Sequence, residues 1–553
     1  MTRPTSKTTR FDVGVGMSLV PSTGGSLPWR WAENVVFVDG RAVKRPGRRH
    51  LFLAGAGYPI VALIPYRESK GPSYLVVVQR TNGNQLRFTL WSGQNQIGSA
   101  RTTLISSGYI PPTARPSITR LGADLLIAGH TGGIRRLRIR GGEFSLWFLN
   151  PIDRDIEENE IAGQDAGPWR TEPPRVTLAC THQFRTFFSD GANLYWCSPD
   201  DVKGLPVNNW QAVGEGQRHT ALASFAQRLV VFTRGSLWEM FGGFTSYADT
   251  TLRLVSGSVG CVAPGSIQNC AGMLVWQGEQ GLVAWDGGGQ PRPFAEGLAP
   301  LLASHGQWGD LGTHVETFRA GPSRRALTES AWIPERGLYV LTQYHADGYA
   351  MVRHLAVEAA TGRLMAWSGM ESTCHAMWET GRATEALWVS GDSSGAVYVN
   401  GIGCRDEAFI PRLYSDYSAK FIGQMEGLGD DADHQFREVG LALEDLAYGS
   451  ESESDPATLK VAVDGRTSGP GVTTQSLPAV STAEGAFLGA GSTSRFLVGD
   501  DCAGAHLVTR RRGLTGTSVG SSAVVTIDSG DVPEFVIAGL TVDHHPRRRR
   551  HAR

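Results

Sequence analysis

The stretch AGMLVWQGEQGLVAWDGG, residues 271–288, contains two short apolar runs, each followed by a glycine-bearing turn. Apolar bursts of this length between turn residues are typical of two β-strands joined as a hairpin. The same plan recurs along most of the chain before residue 405, whereas long amphipathic helical patterns are scarce. Seven such hairpins lie at 75–93, 125–139, 184–198, 228–243, 273–288, 338–355 and 386–401.

The spacing of these hairpins predicts the architecture. Gaps of 50, 58, 44, 46, 67 and 47 residues separate their turn glycines, close to the roughly 40 to 50 residues of one β-propeller blade. The two longest gaps contain insertions, an acidic and proline-rich segment at 150–175 and a second segment at 309–330. We therefore predict an all-β chain with a β-propeller of about seven blades over 61–404. The turn glycines are Gly83, Gly133, Gly191, Gly235, Gly281, Gly348 and Gly395.

A Trp-x-Gly motif ends three of the apolar runs, at Trp91, Trp285 and Trp367. We expect each tryptophan to fill the wedge between neighbouring blades and each following glycine to adopt a positive φ. The alternative is that the hairpins belong to a general multi-sheet protein, but their regular spacing favours a propeller.

The pattern changes after residue 405. Apolar and polar residues alternate at 435–446, 458–466, 523–530 and 534–544, as in half-buried antiparallel strands. Long Gly/Ser/Thr-rich segments separate these runs. We predict a β-sandwich-like accessory domain over 405–553 with long loops and a basic C-terminal tail, and an N-terminal arm with the first strands over 1–60.

Charge and composition limit the classes of function. The chain has 52 basic and 53 acidic residues, so no overall field attracts it to nucleic acid or an acidic membrane. Six of the basic residues are lysine and the other 46 are arginine, which suits phosphate or carboxylate contacts. Such contacts with DNA or a partner subunit, or simple solvation, are the two interpretations of the arginine-rich segments at 41–49, 135–140, 509–512 and 547–553.

The targeting and cysteine patterns point to a protein made in a cytosol. The N-terminus has no apolar run of the kind a secretory signal needs, and no run reaches the 18 apolar residues of a membrane span. Seven cysteines are scattered without a C-x-x-C pair, so we expect buried free thiols without a zinc site or a disulfide framework.

No motif nominates a catalytic residue. The G-x-S-x-G match at 516–520 precedes a strand, whereas a nucleophile elbow needs a following helix. Acidic clusters at 153–160 and 429–433 have polar surroundings that would not separate two carboxyl pKa values. Asp392, in GDSSGAVY at 391–398, resembles a sialidase-type Asp box with one extra residue; we expect it to accept backbone N–H groups in a tight turn. We predict a non-enzyme with no catalytic, cofactor or metal residues and no cofactor.

Several segments together resemble tail nozzle and hub proteins of short-tailed (podovirus-type) bacteriophages. In 26–52, Asn34 in a strand is followed by Gly40 and then by an Arg-Pro-Gly that begins at Arg45. The run from Ser258 to Ser266 lies between two propeller hairpins, as in those proteins. Further similar segments are 188–201, 220–243, 256–288 and the closing strand with its basic tail at 534–550.

This resemblance implies a structural protein of the virion tail, synthesised in the host bacterial cytoplasm. Copies of the chain, six in most such tails, would form a ring below the portal and adaptor proteins. Phage DNA would pass through the shared channel during ejection, and tail fibre or needle proteins would attach outside. The residues themselves leave open a carbohydrate- or receptor-binding propeller, with the segment 198–210 as a sugar platform, and a glycoside hydrolase.

Overall fold

The computed structural model of the chain describes residues in ranges separated by gaps. These are 7–11, 26–27, 31–38, 41–67, 73–81, 85–102, 115–128, 134–140, 143–149, 176–199, 206, 208–245, 247–295, 302, 325, 327–344, 352–370, 372–379, 386–401, 406–407, 414–415, 420–425, 433–447, 458–463, 472–476, 508–513, 519–520, 523–528 and 534–547.

The described chain is almost entirely β-structure, as predicted. Two short 3-10 helices also have their bounds within the described ranges, at Tyr247–Asp249 and Pro334–Arg336. The chain forms two compact units. One contains 1–49, 354–370 and 401–553, and the other contains 50–353 and 371–400.

Six strands precede the first complete blade. They are β1 (Lys7–Phe11), β2 (Ser26–Leu27), β3 (Trp31–Glu33), β4 (Val35–Val38), β5 (Arg41–Lys44) and β6 (Arg48–Leu53).

Five antiparallel sheets of four strands follow, each formed by consecutive strands. Blade 1 consists of β7 (Ile60–Arg67), β8 (Ser73–Thr81), β9 (Gln85–Ser92) and β10 (Asn95–Thr102), and blade 2 consists of β11 (Ser117–Leu121), β12 (Asp124–Ala128), β13 (Ile134–Arg140) and β14 (Glu143–Leu149). Blade 3 consists of β15 (Leu178–His182), β16 (Arg185–Ser189), β17 (Asn193–Trp196) and β18 (Trp210–Ala212), and blade 4 consists of β19 (His219–Phe225), β20 (Arg228–Thr233), β21 (Leu237–Gly242) and β22 (Thr250–Ser256). Blade 5 consists of β23 (Gln268–Cys270), β24 (Met273–Gln277), β25 (Leu282–Trp285) and β26 (Arg292–Phe294).

Two further sets of strands complete a seven-bladed β-propeller. Blade 6 contains the hairpin of β27 (Glu329–Ile333) and β28 (Leu338–Tyr344). The next strands in the chain are β29 (Val352–Glu358) and β30 (Leu364–Trp367), and residues from 354 onwards in them are assigned to the other compact unit. Blade 7 contains β31 (Ser372–Trp378), β32 (Leu387–Asp392) and β33 (Ala396–Asn400), and its fourth strand is β6. The blade therefore combines residues from two distant parts of the sequence, and this closes the ring of blades. At the closure, Ala54 N donates to Gly395 O over 2.9 Å and Gly57 N donates to Ser394 O over 3.0 Å.

The predicted hairpins supply the second and third strands of the blades. The glycines Gly191, Gly281 and Gly395 lie in their turns with φ values of 107°, 154° and 92°. Gly235 also lies in its predicted turn, whereas Gly83, Gly133 and Gly348 lie outside the described residues.

The hydrophobic core of the propeller lies between neighbouring blades. One cluster joins blades 1 and 2 through side chains such as Val76 and Leu125. Similar clusters join blades 2 and 3, 3 and 4, 4 and 5, and 7 and 1. Successive side chains of a strand point to opposite faces, so each blade can contribute to two of these clusters.

The other compact unit contains strands from both ends of the chain. Its remaining strands are β34 (Asp406–Glu407), β35 (Tyr414–Ser415), β36 (Lys420–Met425), β37 (Asp433–Ala447), β38 (Thr458–Val463), β39 (Val472–Ser476), β40 (Val508–Gly513), β41 (Val519–Gly520), β42 (Ala523–Asp528) and β43 (Glu534–Arg547).

Apart from β34 and β35, which pair with each other, the strands of this unit form two sheets. One has the order β2-β1-β43-β37-β40, with β5 also paired to β43. The other includes the run β30-β3-β36-β42-β38-β39. The four segments in which the sequence predicts strands after residue 405 all contain strands, within β37, β38, β42 and β43.

The strand pairing differs from the predicted boundaries at the N-terminus. The first strand, β1, pairs antiparallel with the last strand, β43, from Lys7 opposite His544 to Phe11 opposite Leu540. The predicted arm therefore shares a sheet with residues of the predicted accessory domain, and β6 belongs to a blade. Pairing between distant segments depends on tertiary contacts, which local alternation does not record.

Candidate functional site at the propeller axis

The first strands of the blades surround the propeller axis. Contacts join β31 to β7, β11 to β15, β15 to β19, β23 to β27, and β27 to β31. A strand on the inner edge of a blade has backbone groups that no fifth strand pairs, and buried backbone groups need hydrogen-bond partners. We call the end of the propeller at which these strands begin the entry end.

Side chains of neighbouring inner strands satisfy part of this need. Ser117 Oγ donates to Ala179 O over 3.2 Å and accepts from Ala179 N over 3.0 Å. Thr119 Oγ1 accepts from Thr181 N over 2.9 Å. Further ties are Thr373 Oγ1 to Ile60 O (2.6 Å), His182 Nδ1 with Ser224 Oγ (2.8 Å) and Gln268 Nε2 to Ser330 O (2.9 Å). Polar bonds therefore connect the blades close to the axis, in addition to the apolar interfaces.

Arg115 is placed at the centre of the entry end. It precedes β11 of blade 2, yet its guanidinium donates to Val61 O of blade 1 over 2.7 Å and to Leu327 O before blade 6 over 2.8 Å. It also bonds Thr373 O of blade 7 and forms an ion pair with Glu329 of blade 6. In a ring of seven blades, one side chain can contact four successive blades only if it lies near the axis. Arg115 therefore ties these blades together at the centre.

Burial alters the acidity of Glu329. Its side chain is 18% exposed, and loss of hydration raises the pKa of its carboxyl from 4.5 to about 7, while the neighbouring Arg115 opposes the rise. We attribute the net direction to burial because desolvation disfavours the charged form. The pair can therefore hold or release a proton near neutral pH, while the charge of Arg115 is retained.

Glu329 should make the stability of the protein depend on pH. A carboxyl with a raised pKa in the folded state stabilises the fold below its unfolded pKa of 4.5, and this contribution is lost as the pH rises to about 7. The contribution is about 3 kcal/mol. We predict that the difference in unfolding free energy between the wild type and Glu329→Gln falls across this window, measured by urea denaturation at pH 5 and pH 8. A difference that is constant or rises with pH would contradict the assignment.

The Trp-x-Gly motifs have two structural roles. Trp91 stacks on Phe52 at a centroid distance of 3.9 Å within the interface of blades 7 and 1, and Trp285 lies between blades 4 and 5. The wedge prediction is confirmed for these two residues. Trp367 instead belongs to the other compact unit, where its Nε1 donates to Val35 O over 2.8 Å. The three following glycines, at 93, 287 and 369, have positive φ values of 61°, 89° and 80°, as predicted.

Asp392 accepts backbone N–H groups, as the sequence predicts. Its carboxylate accepts from Ser394 N over 2.9 Å and Ala396 N over 2.8 Å, and from the Tyr398 hydroxyl over 3.0 Å. Asp190 repeats this arrangement in blade 3, where it accepts from Asn193 N and from the Tyr195 hydroxyl, each over 2.7 Å. Burial raises the pKa of the Asp190 carboxyl, but the hydrogen bonds together outweigh burial and the pKa is lowered. Both carboxylates hold turns at the entry end, but sequence patterns pointed only to Asp392, and the aspartate at 190 in the hairpin at 184–198 was overlooked.

We predict that Asp392→Ala lowers the free energy of unfolding by about 2–3 kcal/mol, because buried N–H groups lose a charged acceptor. Asp286 provides a matched control, since its carboxylate is exposed and accepts from Gly288 N. Asp286→Ala should cost less than about 1 kcal/mol. Chemical denaturation measures the free energy of unfolding of both variants. Equal losses would show that the hydrogen bonds of Asp392 stabilise the fold no more than the exposed bond of Asp286 does.

The segment from Ser258 to Ser266 connects three blades. A side chain at Gly260 would lie 2.3 Å from Thr233 O of blade 4, and one at Gly265 would lie 2.3 Å from Thr328 O before blade 6. Gly260 O also accepts from Trp276 Nε1 of blade 5 over 3.0 Å. The two glycines therefore allow close backbone packing on both sides of blade 5.

Several arginines of the predicted basic segments are used inside the protein. Arg45 is buried and donates to Asn34 Oδ1 over 3.1 Å and to Ser368 O over 2.9 Å. Arg136 and Arg138 form ion pairs with Asp124 at 3.0 and 2.9 Å. Contact of these three side chains with DNA is therefore not favoured. The tail at 548–553 lies outside the described residues, and so does the acidic segment at 153–160.

The described cysteines match the prediction of free thiols. Four of the five are buried, and burial raises the pKa of Cys180, Cys261 and Cys270 to about 12. Cys404 and Cys502 lie outside the described ranges. Within those ranges, no group of three or more His, Cys, Asp or Glu side chains could hold a metal ion, and no helix is long and apolar enough to cross a membrane.

One Ser–His contact needs a separate assessment. Ser189 Oγ lies 2.7 Å from His219 Nδ1, and His219 Nε2 lies 2.9 Å from Val213 O. Burial lowers the pKa of His219, so the neutral ring can accept from Ser189 and donate to the carbonyl. Ser189 is fully buried and also accepts from Gly191 N over 2.9 Å. This arrangement supports the turn at Asp190.

The strand order and the blade closure define the class of this chain as a seven-bladed β-propeller protein. No protein-family model and no curated protein matches it. Two solved structures to which it is similar are U3-55K, with 10% identity, a TM-score of 0.37 and coverage of 65% of this chain and 100% of the other, and the Cps50 (Swd1) β-propeller domain of Myceliophteria thermophila, with 12% identity, a TM-score of 0.33 and coverage of 62% and 99%.

Proposed function

We propose that this chain is a non-enzymatic structural protein of a bacteriophage tail, a nozzle or hub component that forms a ring of about six copies around the DNA channel and takes part in tail assembly, genome retention and DNA ejection. The observation that carries the proposal is the set of polar bonds between inner strands, together with the contacts of Arg115 with blades 1, 6 and 7. A wall that bears load needs blades that do not slide past one another, and such bonds resist sliding more directionally than apolar packing does.

The role of Arg115 also bears on the route of DNA in this proposal. Arg115 connects four of the seven blades at the entry end, close to the axis of the propeller. In this proposal the channel for DNA is formed between neighbouring copies, as the resemblance to nozzle and hub proteins implies. A cyclic ring of this kind needs a heterologous interface, in which two different surfaces of each copy meet. Portal-proximal adaptor proteins and tail fibre or needle proteins are the further partners.

The near-neutral net charge is consistent with a channel that does not bind DNA tightly. Each phosphate that a protein neutralises adds affinity through counterion release, and strong affinity would slow the passage of a long polyanion. Arg45, Arg136 and Arg138 are committed to internal carbonyl or carboxylate groups, which leaves less positive charge available at the surface.

Native mass spectrometry of the purified full chain, followed by negative-stain electron microscopy, tests the ring. We expect a discrete closed oligomer, near six copies, with a channel along its symmetry axis. A species that remains monomeric at all protein concentrations, alone and with adaptor protein, would contradict the proposal.

A carbohydrate- or receptor-binding propeller is the second candidate, and one observation favours it. Trp210, in the outer strand of blade 3, is 44% exposed, and an exposed indole is a suitable platform for a sugar ring. We expect glycan-array binding by the isolated protein to be lost in Trp210→Ala if this function is correct. Phe241→Ala, which removes another exposed aromatic from blade 4, provides the control.

A further inference from the structure

A group of polar side chains faces the interface of blades 5 and 6 at the entry end. In β24, Leu274 and Trp276 pack towards blade 4, so Gln277 points to the opposite side, towards blade 6. In β27, Ser330 Oγ donates to Gly265 O over 3.0 Å, and Thr328 lies two residues earlier on the same face. In β28, the Tyr339 hydroxyl donates to Ser266 O over 2.7 Å, and Gln343 lies four residues later on that face.

Arg325 places this group at one end of the interface. Its guanidinium donates to Glu279 Oε1 over 3.2 Å and to Leu302 O over 3.2 Å. Glu279 is two residues after Gln277, and Arg325 O accepts from Thr328 N over 3.2 Å. Glu329 and Thr342 are opposite in the hairpin of blade 6, which brings the adjacent Thr328 and Gln343 to the same level. We call Gln277, Arg325, Thr328 and Gln343 the blade 5–6 polar cluster.

The cluster has polar atoms that the described structure leaves without hydrogen bonds. They are both amide atoms of Gln343, Thr328 Oγ1, Gln277 Oε1 and Arg325 Nε. The four residues are between 0% and 4% exposed. Ser266, Ser330 and Tyr339, in the same interface, all form hydrogen bonds. Buried polar atoms without partners are costly, so their concentration at one place indicates that something binds there.

The chemistry of the cluster selects an uncharged ligand. Glu279 offsets the positive charge of Arg325, and Arg234 offsets part of the charge of Glu279. The cluster offers donors from Arg325 Nε and the Gln343 amide, and acceptors from Gln277 and Gln343. A carboxylate can satisfy the donors but not the acceptors. A carboxamide has both an acceptor oxygen and two donor hydrogens, and therefore complements both kinds of atom.

We propose that the blade 5–6 polar cluster is a binding site for a carboxamide group, such as the side chain of an asparagine or glutamine in a partner peptide. The site does not depend on the tail function proposed above. It lies at the entry end, close to Glu279, which is 38% exposed. In the free protein, the buried polar atoms without partners lower the free energy of unfolding. This loss of stability accompanies a site that is already arranged for its ligand.

Thermal unfolding of the full chain with N-acetylasparagine amide tests this site. We expect the probe at about 50 mM to raise the Tm of the wild type by about 2 °C, and N-acetylaspartate amide, its charged counterpart, to have a smaller effect. The response should disappear in Gln343→Leu and in Thr328→Val. A wild type that does not respond, or variants that respond as the wild type does, would overturn the proposal.

A second readout compares the stabilities of the free proteins. Because Gln343→Leu removes buried atoms without partners, we expect its Tm to rise by about 2 °C. Tyr339→Phe provides the matched control, since it removes a hydroxyl that is bonded in the same interface, and its Tm should fall. If Gln343→Leu lowers the Tm as much as Tyr339→Phe does, the amide is already satisfied in the free protein and the proposed site is wrong.

Discussion

Gly395→Ala is expected to lower the free energy of unfolding by about 4 kcal/mol or more. Gly395 has a φ of 92°, and a Cβ atom added there would lie 2.0 Å from Gly55 O. That separation is far below van der Waals contact, and the obstructing atom is backbone. The chain would have to break the bond from Ala54 N to Gly395 O, which closes the ring of blades. Urea denaturation followed by tryptophan fluorescence measures the loss.

Gly93→Ala separates the closure effect from the cost of a positive φ. Gly93 has a φ of 61° in the turn between β9 and β10, and no described atom lies within 4 Å of the added Cβ. This variant should lose about 1 kcal/mol. If Gly395→Ala costs no more than Gly93→Ala, the contact between the N-terminal segment and blade 7 is not tight and the closure does not stabilise the propeller.

Arg115→Met is expected to destabilise the protein by about 3–5 kcal/mol at pH 8, because it leaves the buried Glu329 carboxylate without its partner. The substitution also removes the donors to Val61 O, Leu327 O and Thr373 O. The loss should be smaller at pH 5, where Glu329 is protonated. Denaturation at the two pH values measures both the loss and its dependence on charge.

Arg234→Met is the control for this prediction. Arg234 is 74% exposed and pairs with Glu279 at 3.3 Å, so its removal should cost less than about 1 kcal/mol. The double variant Arg115→Met with Glu329→Gln should recover part of the loss at pH 8, because no unpaired carboxylate remains. Absence of any recovery would mean that the carbonyl contacts alone explain the role of Arg115.

Local sequence patterns were sufficient to predict the middle of each blade. The second and third strands are apolar on both faces, as in β20, where Leu229–Phe232 are all fully buried, and a glycine turn often connects them. Alternation likewise predicted β37 and β43. The side-chain period that identifies such strands is contained in a few consecutive residues.

The axial site could not be predicted in the same way. Inner strands such as β23, with three residues, are too short to show a period. Arg115 lies between two predicted hairpins, and Glu329 lies at the end of the predicted insertion at 309–330. Only the circular arrangement of the blades brings these two residues together, and no local signal marks either. Similarly, the role of Arg45 depends on Ser368, more than three hundred positions away.

The central claim is that copies of this propeller form a ring whose channel runs between the copies. A cryo-electron microscopy reconstruction of the assembled ring tests this claim most directly. We expect cyclic symmetry near six, an open channel on the symmetry axis, and density for Arg115 and Glu329 at the centre of each propeller, away from that axis. A particle without a channel between copies, or one in which DNA passes through the individual propellers, would contradict the account.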